Sequence, residues 1–176
     1  MMHSIQLCVK RLEMESETLL NEIEAVFPHV PRPKDLEVSF HKVDCFECEY
    51  IRKDLEKYRE PILPDEAIRL LYNDLSCLSS KGWLWVFPSY LRHCITKKND
   101  YDDIETEFLI YALSPDLKYQ KETLERLSGF SKPQLLCLLS FLEWCERHEH
   151  WSDYCADEIE NGIGFLKSLL SNKYGV

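Results

Sequence analysis

Five glycines in 176 residues set the strongest limit on what this chain can fold into. A sheet of short strands needs many tight turns at positive φ, and glycine is the residue that supplies them cheaply. A chain this poor in glycine, with abundant Leu, Glu and Lys, is predicted to be mainly all-α. Its length suits one domain of about 100–200 residues, so residues 1–176 are read as one compact multi-helix unit. Residues 36–43 are the exception, a short strand or extended segment. Apolar residues make up 45%, enough to offset the entropy of ordering the chain.

The helices are marked by spacing and by proline. Leu19, Leu20, Ile23, Val26 and Phe27 recur at three and four, predicting a helix over 15–27 that Pro28, Pro31 and Pro33 end. Asp44 with Glu47 reads as an N-cap and its reciprocal partner for a helix over 45–58. Asp65 caps the next, with Ala67, Leu70, Leu71, Leu75 and Leu78 inward. "SSKG" (79–82) reads as a turn, and "WLWVFPSYLRHCI" (83–95) as an aromatic-rich approach to a helix with Pro88 in its first turn. Residues 104–114 form a helix closed near Pro115, and 117–127 a shorter one ending at Gly129. Ser131 and Gln134 form a capping box for the most apolar helix, which belongs at the centre. A last amphipathic helix covers 153–170, where Gly162 and Gly164 weaken it or admit a close neighbour.

The net charge of −10 repels phosphate backbones and anionic lipids, so nucleic acid and membranes are poor partners and a basic protein a better one. The N-terminus lacks the apolar stretch of a signal peptide, and no apolar run approaches about 18 residues. A cytoplasmic protein is expected. Its eight cysteines are then free thiols, several of them packed as small hydrophobes, as Cys137 is in "QLLCLLSFL". Two acidic stretches could steer a basic partner if they lie together. One carries Asp100, Asp102, Asp103 and Glu105; the other carries Asp157 and Glu158. Trp83 and Trp85 face one way if their segment is extended, as core residues or as exposed anchors.

"FHKVDCFECEY" (40–50) is the one stretch resembling a chemical site. Cys45 and Cys48, three apart, share a helix face, and His41 precedes them. Zinc takes about four ligands from Cys and His, so these supply three and the fourth is not apparent. A redox pair would follow a strand in a βαβ unit, which is absent; packed thiols are the plainer reading. His148 and His150, two apart, point about 200° apart on a regular helix and cannot share an ion there. No phosphate-binding loop, nucleophile elbow or EF-hand pattern occurs. No catalytic group, metal or cofactor is expected; if a metal does bind, it is zinc at His41, Cys45 and Cys48.

"DCFEC", "LSCLSSKGWLWVFPSYLRHCI", "FLIYALSP" and "FSKPQLLCLLSFLEW", in this order, resemble an uncharacterised family of small bacterial all-helical proteins. The family pattern has an Asp-Cys-x-x-Cys and a Pro-x-Tyr-Leu segment, and the likeness spans Val43 to Trp144. Ser80 stands where the pattern has proline, and Ser89 where it has alanine. His41 also stands further from Cys45 than in the pattern, so no metal site is carried over; the resemblance implies a helical fold. The expected function is that of a non-enzymatic acidic binding protein, an immunity protein that neutralises a basic toxin. The competing expectations are a metal-binding or thiol-dependent enzyme using Cys45 and Cys48 with His41, and a housekeeping protein.

Overall fold

The computed structural model describes residues 2–97 and 103–175, with side chains from Met14 onward. Ten α-helices occur among them: α1 (Met2–Val26), α2 (Asp35–Val38), α3 (Phe46–Asp54), α4 (Asp65–Leu71), α5 (Ser80–Thr96), α6 (Ile104–Leu113), α7 (Gln120–Arg126), α8 (Lys132–Arg147), α9 (Glu149–Tyr154) and α10 (Ala156–Tyr174). Short 3₁₀ turns lie at Leu75–Cys77 and Leu127–Gly129. The protein is all-α.

The capping box at Ser131 forms as the sequence predicts and starts α8, the central helix. α8 packs on α10 and α1; α1 also crosses α5, and α10 reaches α6. Leu19 and Ile23 on α1 and Phe27 just after it are buried, and one continuous core joins them to α5, α8 and α10. Gly162 allows the tightest part of that packing. A Cβ there would stand 2.8 Å from Leu142 Cδ1 and 3.1 Å from the Leu113 carbonyl oxygen. Gly162→Ala is therefore expected to lower stability by about 1–3 kcal/mol. Gly164 has open space around its missing Cβ, so Gly164→Ala should gain up to about 1 kcal/mol from helix propensity. Urea unfolding of the two variants checks the contrast.

Several boundaries differ from expectation, each for a tertiary reason. Residues 36–43 are not a strand: α2 takes the first of them, and Ser39 then makes one isolated antiparallel bridge to Leu78. "SSKG" is not a turn but the start of α5. Ser79 Oγ accepts from the Gly82 N–H at 3.0 Å, and Gly82 is needed because a side chain there would run into the Val38 carbonyl. Pro88 consequently lies inside α5 rather than in its first turn. Leu70, expected inward, is exposed, and Ile68 takes its place in the core. The predicted last helix is two, α9 and α10, broken at Cys155. The helix after residue 44 is capped by Cys45, because Asp44 sits at φ 59 outside it.

Candidate functional site

That one-residue offset positions the sulfurs. The left-handed turn at Asp44 swings the chain into α3 with Cys45 at its N-cap and Cys48 in its first turn. The arm before it is fixed to the body. Phe40 N–H donates to the Cys77 carbonyl at 2.7 Å, and Ser79 N–H to the Val38 carbonyl at 2.9 Å. Arg52 Nη1 donates to Ser39 Oγ at 2.6 Å and to the His41 carbonyl at 3.1 Å, so the backbone of His41 is held from α3.

His41, Cys45 and Cys48 come together on this frame, with one imidazole nitrogen and the two sulfurs all within 4.8 Å of one another. Cys48 Sγ lies 3.7 Å from His41 Nδ1, and Cys45 Sγ donates to Glu47 Oε2 at 3.4 Å. Cys48 is buried, Cys45 half-buried and His41 exposed, so the cluster is open on the histidine side. The backbone N–H of Cys48 draws the Cys45 thiol down, but the Cys48 thiol, partial burial and Glu47 outweigh it and leave its pKa raised.

A third sulfur escapes the sequence reading. Cys77 lies 29 residues beyond Cys48, yet its carbonyl is 3.6 Å from Cys48 Sγ. Burial, reinforced by charge repulsion from Cys48 and Asp74, pushes the Cys77 thiol up to about 12. No local spacing could reveal Cys77, because only the pairing of the 38–40 arm with 77–79 delivers it.

The cluster forms part of the wall of a cleft of about 730 Å³. His41, Cys45 and Cys77 line it together with Tyr111, Tyr119 and Arg126. Arg126 is buried, donating to the Ser76 carbonyl at 2.5 Å and lying 4.1 Å over the Phe40 ring. Carboxylates of Glu47, Asp74, Asp116, Glu122 and Glu158 make the lining acidic.

The residues expected to steer a partner do not form the expected surface. Asp103 and Glu105 are buried. Glu105 is paired to Lys97 at 2.8 Å and Arg69 at 3.2 Å, and Asp103 caps α6 through the Thr106 N–H. Trp83 and Trp85 are buried within α5, their indole N–H groups donating to the Leu75 and Glu60 carbonyls, so neither is a surface anchor. Asp157 is exposed, and half-buried Glu158 lies on the cleft. Asp100 and Asp102 lie outside the described residues. The seven described cysteines are free thiols, as expected, and Cys94, Cys137, Cys145 and Cys155 are packed away from this site. His148 ends α8, and His150 stacks on Tyr154, so each has aromatic packing rather than a shared ion. No helix among the described residues is long and apolar enough to cross a membrane.

The chain belongs to DUF6714, a family of unknown function whose model matches residues 15–161, a wider span than the motifs from Val43 to Trp144. No curated protein and no solved structure matches it.

Proposed function

We propose that this DUF6714 member is a zinc-binding protein whose metal is held by His41, Cys45 and Cys48 on the wall of an acidic cleft. The observation that carries this is the convergence of the three donor atoms within 4.8 Å. Around tetrahedral zinc, with bonds near 2.0–2.3 Å, donors stand about 3.5–3.8 Å apart. The Cys48–His41 separation of 3.7 Å is already of that size, and the remaining adjustment is within reach of side-chain rotation. Two thiolates and an imidazole suit zinc better than magnesium or calcium, which prefer oxygen. Arg52 supports the reading by fixing the His41 arm, as the supporting contacts of a metal ligand do.

A docking role for a basic partner, such as the toxin of an immunity protein, draws on Asp157 and Glu158 alone among the described residues expected to steer it. That reading has less support than the metal. Elemental analysis after purification without chelator tests the assignment. One zinc per chain is expected, and Cys48→Ala should lower zinc affinity by about 100-fold or more, beyond the loss typical of a supporting contact. A folded wild-type chain that takes up no zinc at micromolar free metal would contradict it.

A further inference from the structure

Resting on the zinc assignment above, we propose that Cys77 is the fourth ligand, so that the metal is enclosed by three cysteines and one histidine and staples three separate segments together. Those segments are the arm at 39–41, the N-terminus of α3 and the 3₁₀ turn Leu75–Cys77. Structural zinc is almost always four-coordinate, and three donors leave one position to fill. Cys77 has the donor type, and its backbone is fixed against the cluster. Its carbonyl receives both the Phe40 N–H and the Cys48 thiol, its own N–H donates to the Asp74 carbonyl at 2.9 Å, and its half-buried side chain faces the cleft beside His41 and Cys45. Glu47 is the nearest oxygen competitor, but its carboxylate is an exposed, harder donor on a site already rich in sulfur.

Arg126 gives an independent reason. Its guanidinium is buried, its Nε has no hydrogen-bond partner, and its one carboxylate contact is half-buried Glu122 at 3.4 Å. Its other partners, the Ser76 carbonyl and the Phe40 ring, are neutral, and a buried cation is costly unless an anion stands near. Zinc with two thiolates is neutral overall; with three it carries one negative charge. Arg126 Nη2 donates to the carbonyl of Ser76, the residue before Cys77, and Arg126 and Cys77 line the same cleft, so a third thiolate would supply the anion that this guanidinium lacks. Binding then releases three thiol protons to solvent, one from each cysteine, as zinc–sulfur bonds replace sulfur–hydrogen bonds. With four protein donors no position is left for a substrate or an activated water, and the metal shapes the cleft wall rather than acting on what enters it.

The test is thiol alkylation of the full wild-type chain, mapped by mass spectrometry with zinc bound and after chelation. Zinc is expected to slow modification of Cys45, Cys48 and Cys77 alike, each by about 10-fold or more, while buried Cys137 and Cys145 stay unmodified in both states. Protection of Cys45 and Cys48 with Cys77 reacting at the same rate in both states would overturn the fourth ligand and leave the three-ligand site standing. No protection of any of the three would overturn both assignments. Cobalt substitution adds a second readout. Cys77→Ser should lower the sulfur-to-cobalt charge-transfer absorbance by roughly one third, as two thiolates replace three, and an unchanged band would also overturn the proposal.

Discussion

Trp83→Ala is expected to destabilise the protein by roughly 4 kcal/mol, the upper range for deleting a large buried aromatic. The indole is 1% exposed, stacks on Phe87 with centroids 4.7 Å apart and meets the edge of Phe130 at 6.3 Å. Phe130 in turn packs on Phe27, so Trp83 lies in the aromatic chain that ties α1 to α5 and to the start of α8. The variant also leaves the Leu75 carbonyl without the indole N–H that now reaches it at 2.8 Å. Leu75 belongs to the 3₁₀ turn that carries Cys77, and the loss should therefore weaken zinc binding as well as the fold. Trp83→Phe keeps an aromatic ring, though a smaller one, and loses the donor, so about 1–3 kcal/mol is expected for it. Phe46→Ala, at an exposed aromatic beside the same cysteines, should stay within about 0.5 kcal/mol of wild type. Urea denaturation of the three variants gives the order, and a Trp83→Ala protein within 1 kcal/mol of wild type would refute the packing account.

Glu105→Gln is expected to cost about 3 kcal/mol, because it breaks a buried charge pair from one side. Glu105 accepts from Lys97 at 2.8 Å, and Lys97 is itself mostly buried, so the amide removes the carboxylate charge that this ammonium meets at close range. His93 lies close by, with Nδ1 2.9 Å from Asp65 and Nε2 4.0 Å from Glu105. Burial alone would raise the Glu105 carboxyl, but the hydrogen bond and charge of Lys97, with His93, outweigh it and hold the group below its ordinary 4.5. A depressed folded pKa means that this stabilisation is complete above 4.5 and is lost as pH falls through the folded value. Asp103 has the opposite sign. Burial raises it above 3.8, so its charge opposes folding at neutral pH and that cost disappears in acid. The gap between wild type and Glu105→Gln should shrink as pH drops below 4.5, as stability measured by denaturant at a series of pH values will show. A gap that is constant or widens in acid would contradict the assignment.

What the sequence reveals is local chemistry, and what it conceals is contact across the fold. The Ser131–Gln134 box needs nothing outside its own turn, and both reciprocal bonds form. Scarce glycine and the spacing of α1 likewise led to an all-α fold. Gly82 misleads because its role is close approach to Val38, so a helix start resembles a turn and Pro88 appears to be a first-turn residue. Asp44 and Glu47 have the spacing of a capping box, but the left-handed turn at Asp44 transfers the cap to Cys45. Asp103 and Glu105 have the composition of a solvated loop. Their partners Arg69, His93 and Lys97 come from α4, α5 and the residue after α5, and so turn surface charge into an internal network. For the site, Cys45 and Cys48 are legible from spacing, and His41 from proximity. Cys77 is not, because it arrives through pairing of the 38–40 arm with 77–79.

The same pairing links the fold to the chemistry. The arm that carries His41 and the turn that carries Cys77 are joined by backbone hydrogen bonds, and α3 docks its two cysteines between them. X-ray absorption at the zinc edge of the purified chain tests this most directly. A tetrahedral first shell dominated by sulfur at about 2.3 Å, with an imidazole nitrogen at about 2.0 Å, is expected; a shell of oxygen and nitrogen alone, or protein that carries no zinc, would contradict the zinc assignment.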